Sequence, residues 1–449
     1  MNLIIKDILN VIDGNLLFGD ENTILKDFSI NTKEMEKDGV FVGIKGENSD
    51  GSKYYLDAFK NGAKGCILNK GFCDKEIEDK FVIEVDNTVE ALQKLAKYKR
   101  DLYKDLLVVG VTGSVGKTST KDIIASVLST KYNVLKTAGN YNNEIGLPLT
   151  ILRLTNEDAI VLEMGMSSLG EISLLSNLAR PKYGVITNVG TAHIGNLGSR
   201  ENILKAKLEI LEGLDKDGKL IINNDNDMLN MWNNKVKQDN VVTFGINNDS
   251  DFMAENIIYK DETIFNCKGY EYKVLVGGEA FVYNALSGIS IGTLCGIEPD
   301  EIKKGIMNFQ LTKDRLQIIK TNGYTVIDDC YNANFDSMKE GLFNLSKMEG
   351  KRKIAVLGDM LELGEFAEEL HRNVGKEVVK NNIDILVTVG NDSKYIIEEA
   401  KDKIDTHSFD NNEDAIKYLK DTVKEDDVIL IKASNGMKFI EIVNSLKGE

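Results

Sequence analysis

The chain has 449 residues, 42% of them hydrophobic and 28% charged, which is typical of a globular protein with two to four domains. Its formal net charge is −16, and no dense cluster of Lys and Arg is present. Nucleic acids and anionic membranes repel such a protein, so we expect small-molecule partners, no nucleic acid and no membrane insertion.

The sequence carries no feature of a membrane or secreted protein. It has no run of about 18 apolar residues, which excludes a membrane-spanning helix. Residues 1–14, MNLIIKDILNVIDG, predict an amphipathic helix rather than a signal peptide, because charges interrupt the apolar positions. The cysteines lack CxxC spacing, which argues against disulfides and zinc and for a reducing cytoplasm. They are Cys66, Cys73, Cys267, Cys295 and Cys330.

Three α/β segments follow one another, and we predict them to be domains with bounds 1–83, 84–313 and 314–449. The first contains short strands such as GVFVGIK (39–45) and a helix-like stretch, YYLDAFKNGAKGCILN (54–69). The second begins with a predicted helix at 88–105 and a strand at 106–112, and its alternating strands and helices predict a mainly parallel sheet. A separate alternation follows 314, with strands in YTVIDD, RKIAVLGD, DILVTVG and DVILIKAS.

The stretch VGVTGSVGKTSTKD (109–122) contains a variant phosphate-binding loop between a predicted strand and a predicted helix. The strict pattern GxxxxGK[ST] needs a glycine where this chain has Val111, but a G-x-T-G-x-x-G-K-T variant runs from Gly110 to Thr118. Its glycines permit a tight turn whose amides face phosphates, Lys117 reaches the β- and γ-oxygens, and Thr118 is placed for Mg²⁺. The alternative is a glycine-rich turn without a ligand. The predicted nucleotide-binding residues are Gly113, Ser114, Val115, Gly116, Lys117, Thr118 and Ser119.

Two further side chains follow predicted strands and are candidates for the metal. In DAIVLEMGMSS (158–168), four apolar residues bring Glu163 to the carboxyl end of a strand, where ligands bind in open α/β sheets. The next strand, in GVITNVGTAHIG (184–195), presents His193 as a cation ligand or water holder. The alternatives are a solvated glutamate and a capping or core histidine.

The helix predicted in ENILKAKLEILEGL (201–214) carries two lysines in different surroundings. Lys205 has mainly polar neighbours three and four positions away, so we expect it to be solvated. Lys207 has apolar neighbours at these positions: Ile203, Leu204, Ile210 and Leu211. It therefore lies on the buried face and either extends its amine to solvent or reacts with CO₂ to form a carbamate. At an ordinary pKa only about 0.04% of the amine is neutral at pH 7, and burial enlarges that fraction.

A set of motifs in a fixed order resembles the Mur ligases of peptidoglycan synthesis. The motifs are GVTGSVGKTSTK, TAGNYNNEIGLPLTIL, LEMGMSSLGEI, TNVGTAHIGNLGS, KAKLEIL, INNDND, DDCYNAN, LGDMLELG and IKASNGM. The phosphate loop alone is weakly specific. GNYNNEIGLP, DDCYNAN and LGDMLELGE favour the members that join D-alanyl-D-alanine to a UDP-N-acetylmuramoyl tripeptide.

The resemblance implies an N-terminal domain for the UDP-substrate, a central ATPase domain, and a C-terminal Rossmann-like domain that closes over ATP and the amine. It implies a carbamylated Lys207 and Mg²⁺ ions held by Thr118, Glu163, His193 and the carbamate. It also implies that Asn223 lies near the base and that Arg315 and Asp329 reach ATP when the C-terminal domain swings inward. Thr32 and Lys33 would contact the UDP-substrate. The active cleft would be lined by Asn140, Asn142, Asn143, Asn332 and Asn334.

The chain departs from the family pattern at four places. Where the family has D-S-R, this chain has Asn31-Thr32-Lys33, and where the family has His-Asp, it has Ser52-Lys53. Phe335 replaces a frequent proline, and Asn435 replaces the arginine of KASRGM. Lysine lacks the planar fork of arginine, so Lys33 does not offer a bidentate phosphate contact. Because the ATPase motifs are intact, the sequence specifies the class of reaction more closely than it specifies how the uridylyl end of the substrate is recognised.

The implied reaction is amide ligation by a monomer through an acyl phosphate. ATP phosphorylates the terminal carboxylate of the tripeptide, and the amine of D-alanyl-D-alanine then displaces phosphate, with positioning and charge neutralisation carrying the rate. Rival functions within the fold are a sibling Mur ligase and a folylpolyglutamate synthetase. Rivals of another class are a P-loop switch or motor, which the lack of an N-K-x-D element disfavours, and a non-catalytic nucleotide-binding module.

Overall fold

The chain folds into three α/β units in sequence order, which confirms the predicted α/β class with a parallel central sheet. The computed structural model describes residues 3–46, 49–259, 262–275, 277–310, 317–321 and 323–447. The predicted boundary near 313 lies outside the described residues, and the domain bounds stay predictions.

The first unit is built on a five-stranded sheet with the strand order β2-β7-β6-β5-β4. Strands β4 to β7 are parallel, β2 is antiparallel to β7, and β1 pairs with β3 in a separate ribbon. The elements are β1 (Leu3–Ile4), α1 (Ile5–Ile8), β2 (Asn15–Phe18), β3 (Ile24–Leu25), β4 (Phe28–Ser29), β5 (Val40–Val42), α2 (Tyr55–Lys60), β6 (Gly65–Asn69) and β7 (Phe81–Val85).

The predicted N-terminal helix over residues 1–14 is wrong in extent. Leu3 and Ile4 form β1 by pairing with Ile24 and Leu25, and α1 is only four residues long. The spacing of apolar residues is nevertheless explained, because Leu3, Ile5, Ile8 and Ile12 are all buried. Met1 and Asn2 lie outside the described residues.

The helix-like stretch 54–69 contains a helix and a strand. Helix α2 ends at Lys60, and Gly62 follows with a φ of +108°, a left-handed conformation that favours glycine. The chain then enters β6, which is the parallel neighbour of both β5 and β7. The second half of this stretch is therefore a strand because it pairs with two strands that are distant in sequence.

The second unit contains the parallel seven-stranded sheet, in the order β14-β13-β12-β11-β8-β10-β9. Helix α3 ends at Asp101 rather than 105, and α8 ends at Leu208 and continues as a 3₁₀ turn over Glu209–Glu212. The elements are α3 (Thr88–Asp101), β8 (Leu107–Thr112), α4 (Lys117–Leu128), β9 (Val134–Lys136), α5 (Gly146–Leu152), β10 (Ala159–Glu163), α6 (Glu171–Ala179), β11 (Tyr183–Ile186), α7 (Ile194–Leu197), α8 (Arg200–Leu208), β12 (Lys219–Asn223), α9 (Asp227–Val236), β13 (Val241–Gly245), β14 (Phe252–Met253), β15 (Glu255–Tyr259), β16 (Thr263–Cys267), β17 (Tyr270–Val274), α10 (Glu279–Leu294) and α11 (Pro299–Met307).

The third unit is a six-stranded sheet in the order β18-β19-β23-β20-β21-β22, parallel except for the β18–β19 pair. The elements are β18 (Gln317–Lys320), β19 (Thr325–Asp328), α12 (Phe335–Lys347), β20 (Arg352–Gly358), α13 (Ala367–Lys380), β21 (Ile385–Val389), α14 (Lys394–Ala400), β22 (Asp405–Phe409), α15 (Asn412–Thr422), β23 (Asp427–Lys432) and α16 (Ile440–Lys447).

Strands β10 and β23, which have a neighbouring strand on each side, are buried along their whole length, as expected where helices cover a parallel sheet. Strand β8 lies between β10 and β11, so the loop that leaves β8 emerges at the middle of the carboxyl edge. No helix within the described ranges is long and apolar enough to cross a membrane. All five cysteines are free thiols.

Candidate active site

The phosphate-binding loop connects β8 to α4, as the sequence predicted. Gly113 and Gly116 have φ angles of +155° and +81°, which side chains other than glycine rarely adopt. A Cβ on Gly113 would in addition overlap the side chain of Thr187. Helix α4 then begins at Lys117 and directs its first backbone N–H groups at the loop.

Two residues that follow β11 hold the loop, and the sequence interpretation did not include them. The amides of Ser114 and Val115 donate to Asn188 Oδ1 at 3.1 and 2.9 Å, and Thr187 Oγ1 donates to the Val115 carbonyl at 2.6 Å. Two of the loop amides predicted to face phosphate are thus engaged with Asn188. The available signal was the pair Thr187-Asn188 at the end of the apolar strand β11.

Glu163 forms a buried acid site directly beside the loop. Its carboxylate is 2% exposed and accepts from Thr118 Oγ1 at 2.9 Å and from Asn142 Nδ2 at 2.8 Å. Carboxylate and hydroxyl oxygens are the ligands that Mg²⁺ prefers, and this ion usually completes its shell with phosphate and water. Among the described residues no three His, Cys, Asp or Glu side chains form a metal cluster.

His193 lies between the second and third units in a left-handed conformation, with a φ of +62°. Its Nδ1 is 3.0 Å from Glu362 Oε2, which belongs to the turn after β20. Burial first, and then the ammonium of Lys117, lower the pKa of His193, while Glu362 acts in the opposite direction. The ring is therefore neutral more often than a solvated histidine, as a metal ligand must be.

Lys207 is buried and Lys205 is exposed, as the helical spacing predicted. Lys207 is 2% exposed, and no acidic side chain among the described residues pairs with its amine. Burial, and then the positive charge of Lys117, hold the pKa of Lys207 well below its usual value. The amine of Lys207 is therefore neutral more often than that of a solvated lysine.

A cavity of about 570 Å³ joins the phosphate loop to the third unit. Asp329 lies on its C-terminal side, where its carboxylate pairs with Lys432 Nζ at 2.6 Å. Asn334 also caps helix α12 through the amide of Ser337. The cavity brings together these predicted residues: Ser114, Val115, Gly116, Lys117, Thr118, Ser119, Asn140, Asn142, Asn143, Glu163, His193, Asp329, Asn332 and Asn334.

A second cavity, of about 510 Å³, adjoins the first and contains Asn223. Phe244, Tyr283 and Glu279 line it from the second unit, and one face of α12 lines it from the third. Four residues border both cavities: Val115, Gly116, Asn284 and Glu340. A nucleotide with its phosphates at the loop can therefore extend its nucleoside into the second cavity.

The second and third units contact each other directly beside these cavities. Asp336 at the start of α12 accepts from the amide and from the hydroxyl of Thr191, at 2.7 and 2.9 Å. The neighbouring His193–Glu362 contact also spans the two units. The structure thus has the third unit packed against the second, with Asp329 brought to the cavity of the phosphate loop.

The remaining predicted residues lie elsewhere. Thr32 and Lys33 form a 3₁₀ turn in the first unit and line neither of the two cavities. Ser52 is buried and donates to the Gly43 carbonyl at 3.1 Å, which is a structural contact. Asn435 borders a smaller cavity of about 230 Å³ that also includes His193 and Glu362. Arg315 lies outside the described residues.

The fold and the site define a P-loop enzyme that presents nucleotide phosphates to a cleft between two α/β units. Residues 111–292 match the Mur ligase middle domain, and residues 314–435 match the Mur ligase, glutamate ligase domain. The chain belongs to the Mur ligase family, in its branch of UDP-N-acetylmuramoyl-tripeptide–D-alanyl-D-alanine ligases.

Curated relatives and solved structures cover nearly the whole chain. The UDP-N-acetylmuramoyl-tripeptide–D-alanyl-D-alanine ligase of Bacillus subtilis is 40% identical over 98% of each chain. A crystal structure of MurF from Acinetobacter baumannii has a TM-score of 0.90 at 26% identity and covers 100% of this chain and 99% of its own. MurF ligase from Thermotoga maritima in complex with ADP has a TM-score of 0.81 at 30% identity and covers 94% of this chain and 97% of its own. The resemblance inferred from the motifs is confirmed.

Proposed function

We propose that this chain uses ATP to join D-alanyl-D-alanine to UDP-N-acetylmuramoyl tripeptide, a step in the synthesis of peptidoglycan precursors. One observation carries the proposal: the phosphate loop, the Thr118–Glu163 pair and the asparagines of both units border one cavity. Relatives of this named activity align over nearly the full chain.

The reaction proceeds in two steps. A carboxylate oxygen of the tripeptide attacks the γ-phosphorus of ATP, and the bond between this phosphorus and the bridging oxygen breaks to release ADP. The amine of D-alanyl-D-alanine then attacks the acyl phosphate, loses its proton, and displaces inorganic phosphate through a tetrahedral intermediate. Lys117 contributes a cation near the transferred group, and the asparagines orient the reactants.

The donor set of the cavity suits Mg²⁺, which would be held by Thr118, Glu163, His193 and a carbamate on Lys207. When bound, the ion reduces the repulsion between the carboxylate and the triphosphate. The fit is supported by the two oxygens of the Thr118–Glu163 pair and by the lowered pKa of His193. The carbamate is supported by the burial of Lys207 and the lowered pKa of its amine, because the neutral amine is the form that adds to CO₂.

We assign residues 1–83 to the UDP-substrate, with Thr32 and Lys33 as contacts, residues 84–313 to ATP, and residues 314–449 to the closing ligase domain. The burial of Asn223 at the end of β12, beside the second cavity, supports its placement near the base. The position of Asp329 on the shared cavity supports its contact with ATP, and Arg315 is assigned the same role from the family pattern.

We also propose that the enzyme acts as a monomer in the cytoplasm. Support for the monomer is that both cavities are bordered by two units of one chain, so the site does not require a second copy. The free thiols of all five cysteines fit a reducing compartment. Light scattering that gives twice the chain mass at assay concentration would contradict the monomer.

The test is phosphate release from ATP with UDP-N-acetylmuramoyl tripeptide, measured with and without D-alanyl-D-alanine. We expect release only with both substrates, together with formation of the pentapeptide product by mass spectrometry. Phosphate release that depends on a free amino acid instead of the dipeptide as acceptor would indicate a sibling ligase or a folylpolyglutamate synthetase. Hydrolysis that needs neither substrate would indicate a nucleotide switch.

A further inference from the structure

One face of helix α12 forms a wall of the second cavity. Asp336, Lys339, Glu340, Phe343 and Asn344 line it, at positions i, i+3, i+4, i+7 and i+8 of the helix, which share one face. This helix belongs to the third unit, whereas the phosphate loop belongs to the second. A nucleoside in the second cavity would thus lie between the second unit and helix α12 of the third.

We propose that Glu340 binds the ribose hydroxyls of the nucleotide and makes the enzyme selective for ribonucleotides. This inference rests on ATP binding in the proposed function. Glu340 borders the phosphate cavity and the nucleoside cavity together with Val115 and Gly116 of the loop. The ribose joins the phosphates to the base, so it lies where the two cavities meet.

The chemistry of the Glu340 carboxylate suits a vicinal diol. A carboxyl group pairs with two neighbouring hydroxyls in either protonation state, because the ionised form accepts through two oxygens and the protonated form donates through one oxygen and accepts through the other. Carboxylates also bind ribose hydroxyls in other nucleotide folds. Within the described residues, the Glu340 carboxylate has no hydrogen bond and no ion pair, and the charged groups near it are Asp329, Asp336 and Glu279, opposed by Lys432. A partly buried acceptor without a protein donor is thus available to the ligand.

Other acids near the cavity are less suited to this role. Asp336 already accepts twice from Thr191, and Glu377 pairs with Lys380 at 3.2 Å. Glu279 lies on the opposite wall at the start of α10 and does not border the phosphate cavity. Glu279 is therefore the competing candidate that an experiment must separate from Glu340.

The experiment measures binding of ADP, 2′-deoxy-ADP and 3′-deoxy-ADP by isothermal titration calorimetry, and ligation with the matching triphosphates. The proteins are wild type, Glu340→Ala, Glu279→Ala and Glu349→Gln, the last a control at an exposed acid just beyond α12. Thermal unfolding of each variant confirms the fold. Because binding is measured without the other substrates, a failure of the ligase assignment leaves this test intact.

We expect the wild type to bind at least one deoxy nucleotide about tenfold or more weakly, as for a lost hydrogen bond to a charged group. Glu340→Ala should bind ADP about tenfold more weakly and no longer distinguish it from that deoxy nucleotide, with the ligation effect mainly in KM for ATP. Glu279→Ala and Glu349→Gln should keep the discrimination. The proposal is overturned if the wild type does not discriminate, if Glu340→Ala discriminates like the wild type, or if Glu279→Ala alone abolishes discrimination.

Discussion

Replacing Glu340 by glutamine should stabilise the nucleotide-free protein above pH 7 and have little effect near pH 5. The carboxyl group lies near Asp329, Asp336 and Glu279, and Lys432 is the cation that opposes them. Burial first, and then the charge of Asp329, raise the pKa of Glu340 to about 7 from an ordinary value of 4.5. Glutamine keeps the shape and removes the charge.

The direction and size of the effect follow from proton linkage. Between pH 4.5 and about 7 the folded protein keeps a proton on Glu340 that the unfolded chain has released, so stability falls as the pH rises through this window. The difference, about 7 minus 4.5, is about 2.5 pH units, and at about 1.4 kcal/mol per unit the ionised group costs at most about 3.5 kcal/mol above pH 7. Glu340→Gln removes this cost at high pH.

The assay is urea denaturation of wild type, Glu340→Gln and Glu349→Gln at about pH 5 and about pH 8, without nucleotide. Glu340→Gln should gain stability relative to wild type at the higher pH only, and Glu349→Gln should match wild type at both. An equal difference at the two pH values, or a loss of stability at the higher one, would refute the reasoning about the acid cluster.

Three predictions concern catalysis. Lys117→Ala should lower ligation by more than about a hundredfold with normal thermal unfolding, because it removes a phosphate-facing cation and no core volume; turnover above a few per cent would count against the loop. Lys207→Ala should lose most activity and regain part of it when short carboxylic acids or bicarbonate are added. Lys207→Arg should be inactive and should not be rescued, because arginine stays protonated. Full activity in Lys207→Ala would show that the amine only extends to solvent. Glu163→Gln should raise the Mg²⁺ concentration needed for half-maximal rate by about tenfold or more, because a neutral amide is a weaker ligand for a hard cation; an unchanged Mg²⁺ dependence would remove Glu163 from the metal site.

Local patterns in the sequence were sufficient to predict three features: the phosphate loop, the strand that ends at Glu163, and the burial of Lys207. Each depends on residues within a few positions of one another, where backbone geometry decides the outcome. The glycines of the loop have the positive φ angles that a tight turn needs, and the apolar neighbours of Lys207 bury its side chain because residues three and four positions apart share a helix face. The resemblance of the motifs to the Mur ligases identified the family as well, because the motifs occur in a fixed order across the second and third units.

Only the tertiary structure decided which distant residues meet. Asn188 holds the amides of Ser114 and Val115 because β11 is the neighbour of β8 in the sheet, although more than seventy residues separate them. Glu340 reaches the boundary of the two cavities because the third unit packs its α12 face against the loop of the second. Leu3 and Ile4 form β1 rather than part of a long helix because they pair with Ile24–Leu25, and pairing between segments is set by topology and not by local periodicity.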